Sequence, residues 1–149
     1  MKLSASEFVE RPLPEVFRFV ATEHWRNHPT WDSSIVELRQ TTPGPMGLGA
    51  KARLVRVDRG RRSEGVVEVV AYEPDQLFQA VSRFGPFLLD QRVSLTPVST
   101  GTRIDLTIDT KASGLMTLLV PLMKRQFSAT MVRSLRTIKD EIERQPDQL

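Results

Sequence analysis

The stretch "TRIDLTIDT", residues 102–110, decides how this 149-residue chain folds. Ile104, Leu106 and Ile108 alternate with Arg103, Asp105, Thr107 and Asp109. A two-residue period of this kind predicts a strand with one buried face and one wet face. Beyond it the period changes. Across residues 115–144, Phe127, Met131, Leu135 (or Ser134), Ile138 and Ile142 recur at helical spacing. That predicts one long helix presenting an apolar stripe to a sheet. Pro121 falls in its first turns and predicts either a kink or a short preceding helix.

Upstream of that strand lie further segments of strand character. They are "SIVELRQ" from Ser34, "AKARLVRV" from Ala50, "SEGVVEVVAY" from Ser63, "QLFQAVSRF" from Gln76 and "LLDQRVSLTPV" from Leu88. Turn residues separate them, as in "DRG", "EPD", "FGPF" and "VSTG". Such short links predict that neighbouring strands are antiparallel partners. Nearer the N-terminus, Leu13, Val16, Phe17 and Val20 keep helical spacing, with Pro14 suited to a first turn. A second short helix is expected through "TEHWRNH", capped by Thr22 and stopped by Pro29. In the first strand, Glu7 and Phe8 compete for the inner face.

Composition narrows the class. Apolar content of 40% and charged content of 26% are ordinary globular values. The length suits one domain over residues 1–149, large enough to bury roughly two thirds of its unfolded surface. The absence of cysteine excludes disulfides and thiolate-metal sites. "MKLSASEFVE" lacks the apolar core of a signal peptide. "GLMTLLVPLM", residues 114–123, is about half as long as a bilayer span requires. A soluble, cytoplasmic protein with no integral membrane segment is expected.

Two motifs invite a ligand reading and fail it. The glycine-rich "PGPMGLG", residues 43–49, joins one strand pattern to another, whereas phosphate loops run from a strand into a helix. No Lys-Ser or Lys-Thr follows Gly49, so nucleotide binding is not expected, and the loop reads as a flexible flap. The basic run "RVDRGRR", residues 56–62, lacks the interleaved aromatics that stack on bases. It reads as a solvated hairpin tip, and no nucleic-acid partner is expected.

The landmarks together resemble a known family. "ERPLPEVFRFV" (Glu10 to Val20), Trp31 before the second strand, "TTPGPMGLGA" (Thr41 to Ala50), "YEPDQLF" (Tyr72 to Phe78), "GTRIDL" (Gly101 to Leu106) and the terminal helix carry the resemblance. In order and spacing they resemble the helix-grip fold shared by START domains, the birch pollen allergen family and the polyketide cyclase/dehydrase-like (SRPBCC) proteins, especially the bacterial branch. Asp75 and Thr100 depart from the family pattern, where a proline and a glycine are often seen. The resemblance covers nearly the whole chain. It implies an α+β fold, in which a curved antiparallel sheet of about seven strands (β-α-α-β6-α) wraps a long C-terminal helix around an apolar cavity. It implies no particular activity.

Given that fold, strand alternation nominates the cavity lining. With Ile104, Leu106 and Ile108 facing in, the inward sets are Ala52, Leu54 and Arg56; Val67, Val69 and Ala71; Leu77, Gln79 and Val81; and Leu89, Gln91, Val93 and Leu95. Opposite them the helix offers Val120, Met123, Phe127 and Met131, and Trp31 matches the family tryptophan at the cavity end. By the same register Tyr72 faces outward. The lining is mainly aliphatic, with Arg56, Gln79 and Gln91 as its few polar groups. Small-ligand sites usually have this character.

"EHWRNHPTWD" holds both histidines and both tryptophans. His24 and His28 at i, i+4 share a helix face and suggest a metal pair, but a third ligand is awkward to place and no base lies between them. The plainer reading puts the histidines at the cavity entrance or in water. No metal, cofactor or catalytic residue is therefore assigned. His24, His28, Glu7 and Arg56 (as an oxyanion stabiliser) are the candidates if chemistry occurs.

Three functions follow. The first is binding or carrying a small hydrophobic molecule, such as a lipid, polyketide, quinone or isoprenoid. The second is a cyclase or dehydratase working in the same cavity. The third is a protein-interaction module using the basic tip at Arg59, Arg61 and Arg62. A homodimer is left open.

Overall fold

The computed structural model describes residues 1–146. The expected domain of residues 1–149 therefore ends with three residues outside the described part. In chain order the elements are β1 (Lys2–Val9), α1 (Leu13–Phe17), α2 (His24–Trp31), β2 (Ile35–Gln40), β3 (Lys51–Asp58), β4 (Arg61–Glu73), β5 (Leu77–Phe84), β6 (Phe87–Val98), β7 (Gly101–Ala112), α3 (Met116–Leu119) and α4 (Lys124–Arg144). A π-helical turn over Arg18–Thr22 joins α1 to α2, and a 3₁₀ turn over Val120–Met123 joins α3 to α4.

All seven strands form one curved antiparallel sheet in the order β1-β7-β6-β5-β4-β3-β2. Every step from β2 to β7 is a hairpin-type neighbour, as short links demand. Only β1 pairs across a long separation, with Leu3 opposite Ile108 and Glu7 opposite Ile104. That register puts Glu7, not Phe8, on the inner face. Close strand approach assists the curvature. A Cβ on Gly65 would fall 1.9 Å from the Arg83 carbonyl oxygen of β5, so only glycine fits that crossing.

The long helix forms as its spacing predicts, broken where Pro121 stands. Met131, Leu135, Ile138 and Ile142 are buried against the sheet. Hydrogen bonds tie its far end to the N-terminal segment. Lys139 Nζ donates to the Phe8 carbonyl at 2.8 Å, and Arg11 Nη2 donates to the Glu143 carbonyl at 2.7 Å. Nearer the middle, Ser134 Oγ donates to the Trp31 carbonyl at 3.1 Å, joining α4 to α2.

Several expectations need correction. Thr22 does not cap α2, which begins at His24; its hydroxyl bonds the Tyr72 hydroxyl at 3.0 Å. The chain reaches α2 through the π turn, closed by Glu23 N–H to the Arg18 carbonyl at 2.8 Å. Pro29 lies inside α2 rather than ending it. One amide is lost there, yet Thr30 Oγ1 donates to the Asn27 carbonyl at 2.6 Å and Asp32 N–H to the His28 carbonyl at 3.1 Å. Those bonds carry the turn past the proline.

The inner face of β5 is also opposite to expectation. Phe78 and Ala80 are buried, while Leu77, Gln79 and Val81 face out. The unbroken register with β6 sets that face, with Ala80 opposite Gln91, and a β-bulge between Val69 and Ala71 resets the phase of β4 against it: Val69 pairs with Ala80, but Tyr72 then pairs with Phe78. Tyr72 consequently turns inward, its ring 5.3 Å from Phe17 in an edge-on contact, and Ala71 shifts to the outer side. Gln79 instead donates to Asp90 Oδ1 at 2.8 Å on the outer surface.

Candidate functional site

Between the inner face of the sheet and α4 lies a cavity of about 460 Å³. Strands β3, β4 and β7 supply Leu54, Val67, Leu106 and Ile108 to its wall, and α4 with the preceding turn supplies Met123, Phe127 and Met131. Trp31 closes one end, its ring 5.7 Å from Phe19 and 5.1 Å from His28. Phe84 and Phe87, at the β5–β6 turn, face each other at 5.7 Å across another part of the lining.

Most of the expected lining is therefore brought together, with Arg56 and Gln91 among it. Val93 and Ile104 instead border a second void of only about 10 Å³, with Val20, Leu135 and Ile138. Val69 is packed solidly into the core and Val120 is buried, and neither reaches the cavity wall. Gln79 and Val81 point away from it altogether, because of the β5 phase. The molecule is thus tightly packed where α1 and the middle of α4 meet the sheet, and hollow towards the β3–β4 tip.

The glycine loop over residues 43–49 contributes nothing to that wall. Met46 packs against the core and Gly49 N–H donates to the Val69 carbonyl at 2.9 Å, but the glycines themselves allow no close approach: an added Cβ on Gly44 or Gly49 would meet no atom within 4 Å. What these glycines supply is positive φ, 87° and 86°. Gln40 Nε2 holds the loop through the Thr42 and Gly44 carbonyls, at 2.9 and 2.7 Å. The expected flap over a ligand is not what this segment forms.

The basic tip does approach the cavity. Arg59 and Gly60 turn the β3–β4 hairpin with φ of 53° and 80°, and Asp58 and Arg59 border the lining. Here lies a polar corner of which the sequence reading named Arg56 but not its partners. Arg56 Nη1 donates to Asp32 Oδ2 at 2.7 Å, while Nε and Nη2 donate to Asp58 at 3.2 and 3.1 Å. The guanidinium also stacks 5.2 Å from the Phe84 ring centre. Burial alone would disfavour its charge, but the bonds to Asp58 and the charge of Asp32 outweigh that and raise its pKa. Burial likewise pushes the Asp58 carboxyl up, and the Arg56 hydrogen bond and charge hold it below its ordinary value. One signal was available in the sequence: Arg56 and Asp58 at i, i+2 share a strand face.

Neither histidine lies in water. His24 is 1% exposed, with Nδ1–H donating to the Val20 carbonyl at 2.9 Å and its ring 4.7 Å from Phe78. His28 lines the cavity, while its Nδ1 is buried without a hydrogen-bond partner. Burial, and then the Arg56 charge, push the His28 pKa down to about 3. Burial first, then His28, lower the His24 pKa well below the ordinary range, against the opposing pull of the Val20 bond. Glu7 is not part of the cavity wall, and its carboxylate sits 3.6 Å from Arg136.

Both imidazoles stay neutral in the folded protein where the unfolded chain would protonate them. Their stabilising effect is present above about pH 6.5 and is lost as pH falls below it, for His28 towards about 3. The slope is up to about 1.4 kcal/mol per pH unit for each ring. Urea titrations across that range are expected to show it, and His28→Gln should flatten the curve. An identical pH profile for the variant would refute the assignment.

The sequence profile of a family described as polyketide cyclase/dehydrase and lipid transport matches residues 1–143. The chain belongs to that family. In structure it is similar to a START superfamily protein from Mycobacterium smegmatis, with a TM-score of 0.77 and 14% identity, over 95% of this chain and 97% of that one. It is also similar to the protein Ara h 8.0201, with a TM-score of 0.74 and 12% identity, over 97% and 99% of the two chains. A major latex-like protein from Panax ginseng aligns with a TM-score of 0.67 and 12% identity, over 95% and 96%. At these identities the likeness concerns the fold, which is the helix-grip fold. No curated protein matches the chain in sequence. Membership of the family supports, in general terms, a role in binding hydrophobic molecules or in cyclase/dehydrase-like chemistry. No helix among the described residues is long and apolar enough to cross a membrane.

Proposed function

We propose that this protein of the polyketide cyclase/dehydrase and lipid transport family binds a small, uncharged, mostly apolar molecule in its cavity. The observation that carries this reading is the cavity itself. It holds about 460 Å³, within the range of small-molecule sites, and aliphatic and aromatic side chains dominate its wall. Met123 and Met131 add flexible thioethers suited to an irregular guest.

The polar corner sets the guest's charge. Arg56 is already paired with two carboxylates, Asp32 and Asp58, and His28 beside it is neutral. Together these groups carry a net negative charge, which Arg59 at the rim only balances. Within that corner the Arg56 bonds are already taken by the two carboxylates, and Arg59, which makes no ion pair among the described residues, stands only at the rim, so desolvating an anionic headgroup beside Asp32 and Asp58 is unfavourable. A hydroxyl or carbonyl can hydrogen-bond without that cost. Quinones, isoprenoid alcohols and neutral polyketides or lipids fit the site; a fatty-acid carboxylate does not.

A cyclase or dehydratase remains the second reading, since His28 and Arg56 both border the cavity. It ranks lower because a ring with a pKa of about 3 is a weak base at neutral pH. The paired Arg56 is also a poor oxyanion receptor.

Nile red displacement tests the binding reading. The dye is expected to bind, and dodecanol to displace it at least about tenfold better than dodecanoate. Ile108→Trp, which fills the cavity from β7, should weaken dye binding by a similar factor. Failure of the dye to bind, or stronger displacement by the carboxylate, would overturn the proposal.

A further inference from the structure

One surface of the molecule is apolar without covering anything. Leu115, Leu118, Leu119 and Leu122 are 83%, 73%, 46% and 79% exposed. Leu115 caps α3, Leu118 and Leu119 lie within it and Leu122 lies in the 3₁₀ turn that follows, so the four exposed leucines are gathered on one eight-residue segment. The opposite face of the same segment is occupied: Val120 is buried, and Met123 with Phe127 lines the cavity. The core therefore does not need the four leucines. Ordinary surfaces scatter exposed apolar residues singly and rarely gather them on one short segment.

Along the chain the charge around this segment is of one sign. From residue 110 to residue 139 the chain holds Lys111, Lys124, Arg125, Arg133, Arg136 and Lys139 and no acidic residue. Lys111, Lys124 and Arg125, at either end of the leucine segment, are exposed. An apolar ridge flanked by cations is complementary to a surface that is negative outside and apolar just beneath. A second copy of the chain fits less well, because a two-fold contact over the leucines would bring the same cations together.

We infer that the leucine face of residues 115–122 docks the protein onto an anionic lipid bilayer, with Lys124, Arg125 and Lys111 against the headgroups. The segment lies in the plane of the interface and its leucines enter the boundary between headgroups and acyl chains. This docking does not depend on what the cavity holds. It would, however, bring a segment whose inner face borders that cavity directly onto the membrane.

Co-flotation with vesicles decides the matter, using phosphatidylcholine alone and phosphatidylcholine with roughly 30% phosphatidylserine. The wild-type protein is expected to float with the mixed vesicles and much less with the neutral ones. Leu118→Asp combined with Leu122→Asp should lower the partition at least about tenfold, and Lys124→Glu combined with Arg125→Glu should remove the preference for phosphatidylserine. Val36→Asp, at a residue 57% exposed on the edge strand β2, should leave floating unchanged. All these sites are exposed, so the folded state tolerates the changes. The inference is overturned if the wild type stays off the mixed vesicles or if the leucine double variant floats as well as the wild type. It is equally overturned if the protein sediments as a dimer that the leucine changes dissociate, since the face then belongs to a second copy.

Discussion

Phe78→Ala is expected to destabilise the protein by about 3–5 kcal/mol in urea unfolding. Phe78 is 1% exposed, and its ring lies 4.7 Å from His24 and 6.3 Å from Tyr72, where β5 meets α2 and β4. Truncation removes the transfer free energy of the ring and leaves a hole among rigid neighbours, namely a buried imidazole and a bulged strand. Neither can collapse into it easily. The companion measurement is Val81→Ala, on the outer face of the same strand, where a loss under about 1 kcal/mol is expected. If Val81→Ala proved the costlier change, the phase of β5 described above would be wrong, and with it the inward turn of Tyr72.

Arg56→Met is expected to cost about 2–4 kcal/mol at neutral pH. Asp32 and Asp58 would then face each other across the cavity corner without their shared cation. The figure lies towards the low end for a buried pair, because the Asp58 side chain is 46% exposed and water screens part of the repulsion. The wild-type pH dependence has a defined sign. Asp58 has a folded-state pKa below its ordinary value, so its contribution is complete above that ordinary value and fades as pH falls through the folded one. Adding Asp32→Asn and Asp58→Asn to Arg56→Met should restore most of the lost stability, as an uncharged corner has no repulsion to relieve. Thermal and urea unfolding of the single and triple variants measure this. A triple variant no more stable than the single one would remove the ion pairs from the explanation.

The two outcomes rest on features of unequal legibility. The alternation of Ile104, Leu106 and Ile108 could be read directly, because β7 has a charged or hydroxyl side chain at each intervening position. Strand β5 has no such contrast: Leu77 and Val81 on one face compete with Phe78, Ala80 and Phe84 on the other. Its phase is set by its unbroken register with β6, with Phe78 opposite Val93 and Ala80 opposite Gln91, which no residue pattern within β5 announces. Pro29 was misread for a similar reason. A proline ends an isolated helix, but here the Thr30 hydroxyl and the α4 contact through Ser134 sustain the turn. The polar corner was half visible, since Arg56 and Asp58 are two residues apart. Asp32 reaches them only through the path of α2 over the sheet.

By itself the sequence determined the element order, the antiparallel neighbours, the long helix with its break at Pro121 and the family. These depend on local period and turn chemistry, which act between residues close in the chain. Tertiary structure alone decided which half of the interior is filled and which is hollow. It also decided that the glycine loop lies off the cavity while the basic tip borders it, and that four leucines face outward. Those outcomes depend on the bend of the sheet and on where α4 crosses it, and both arise from contacts between residues far apart in sequence.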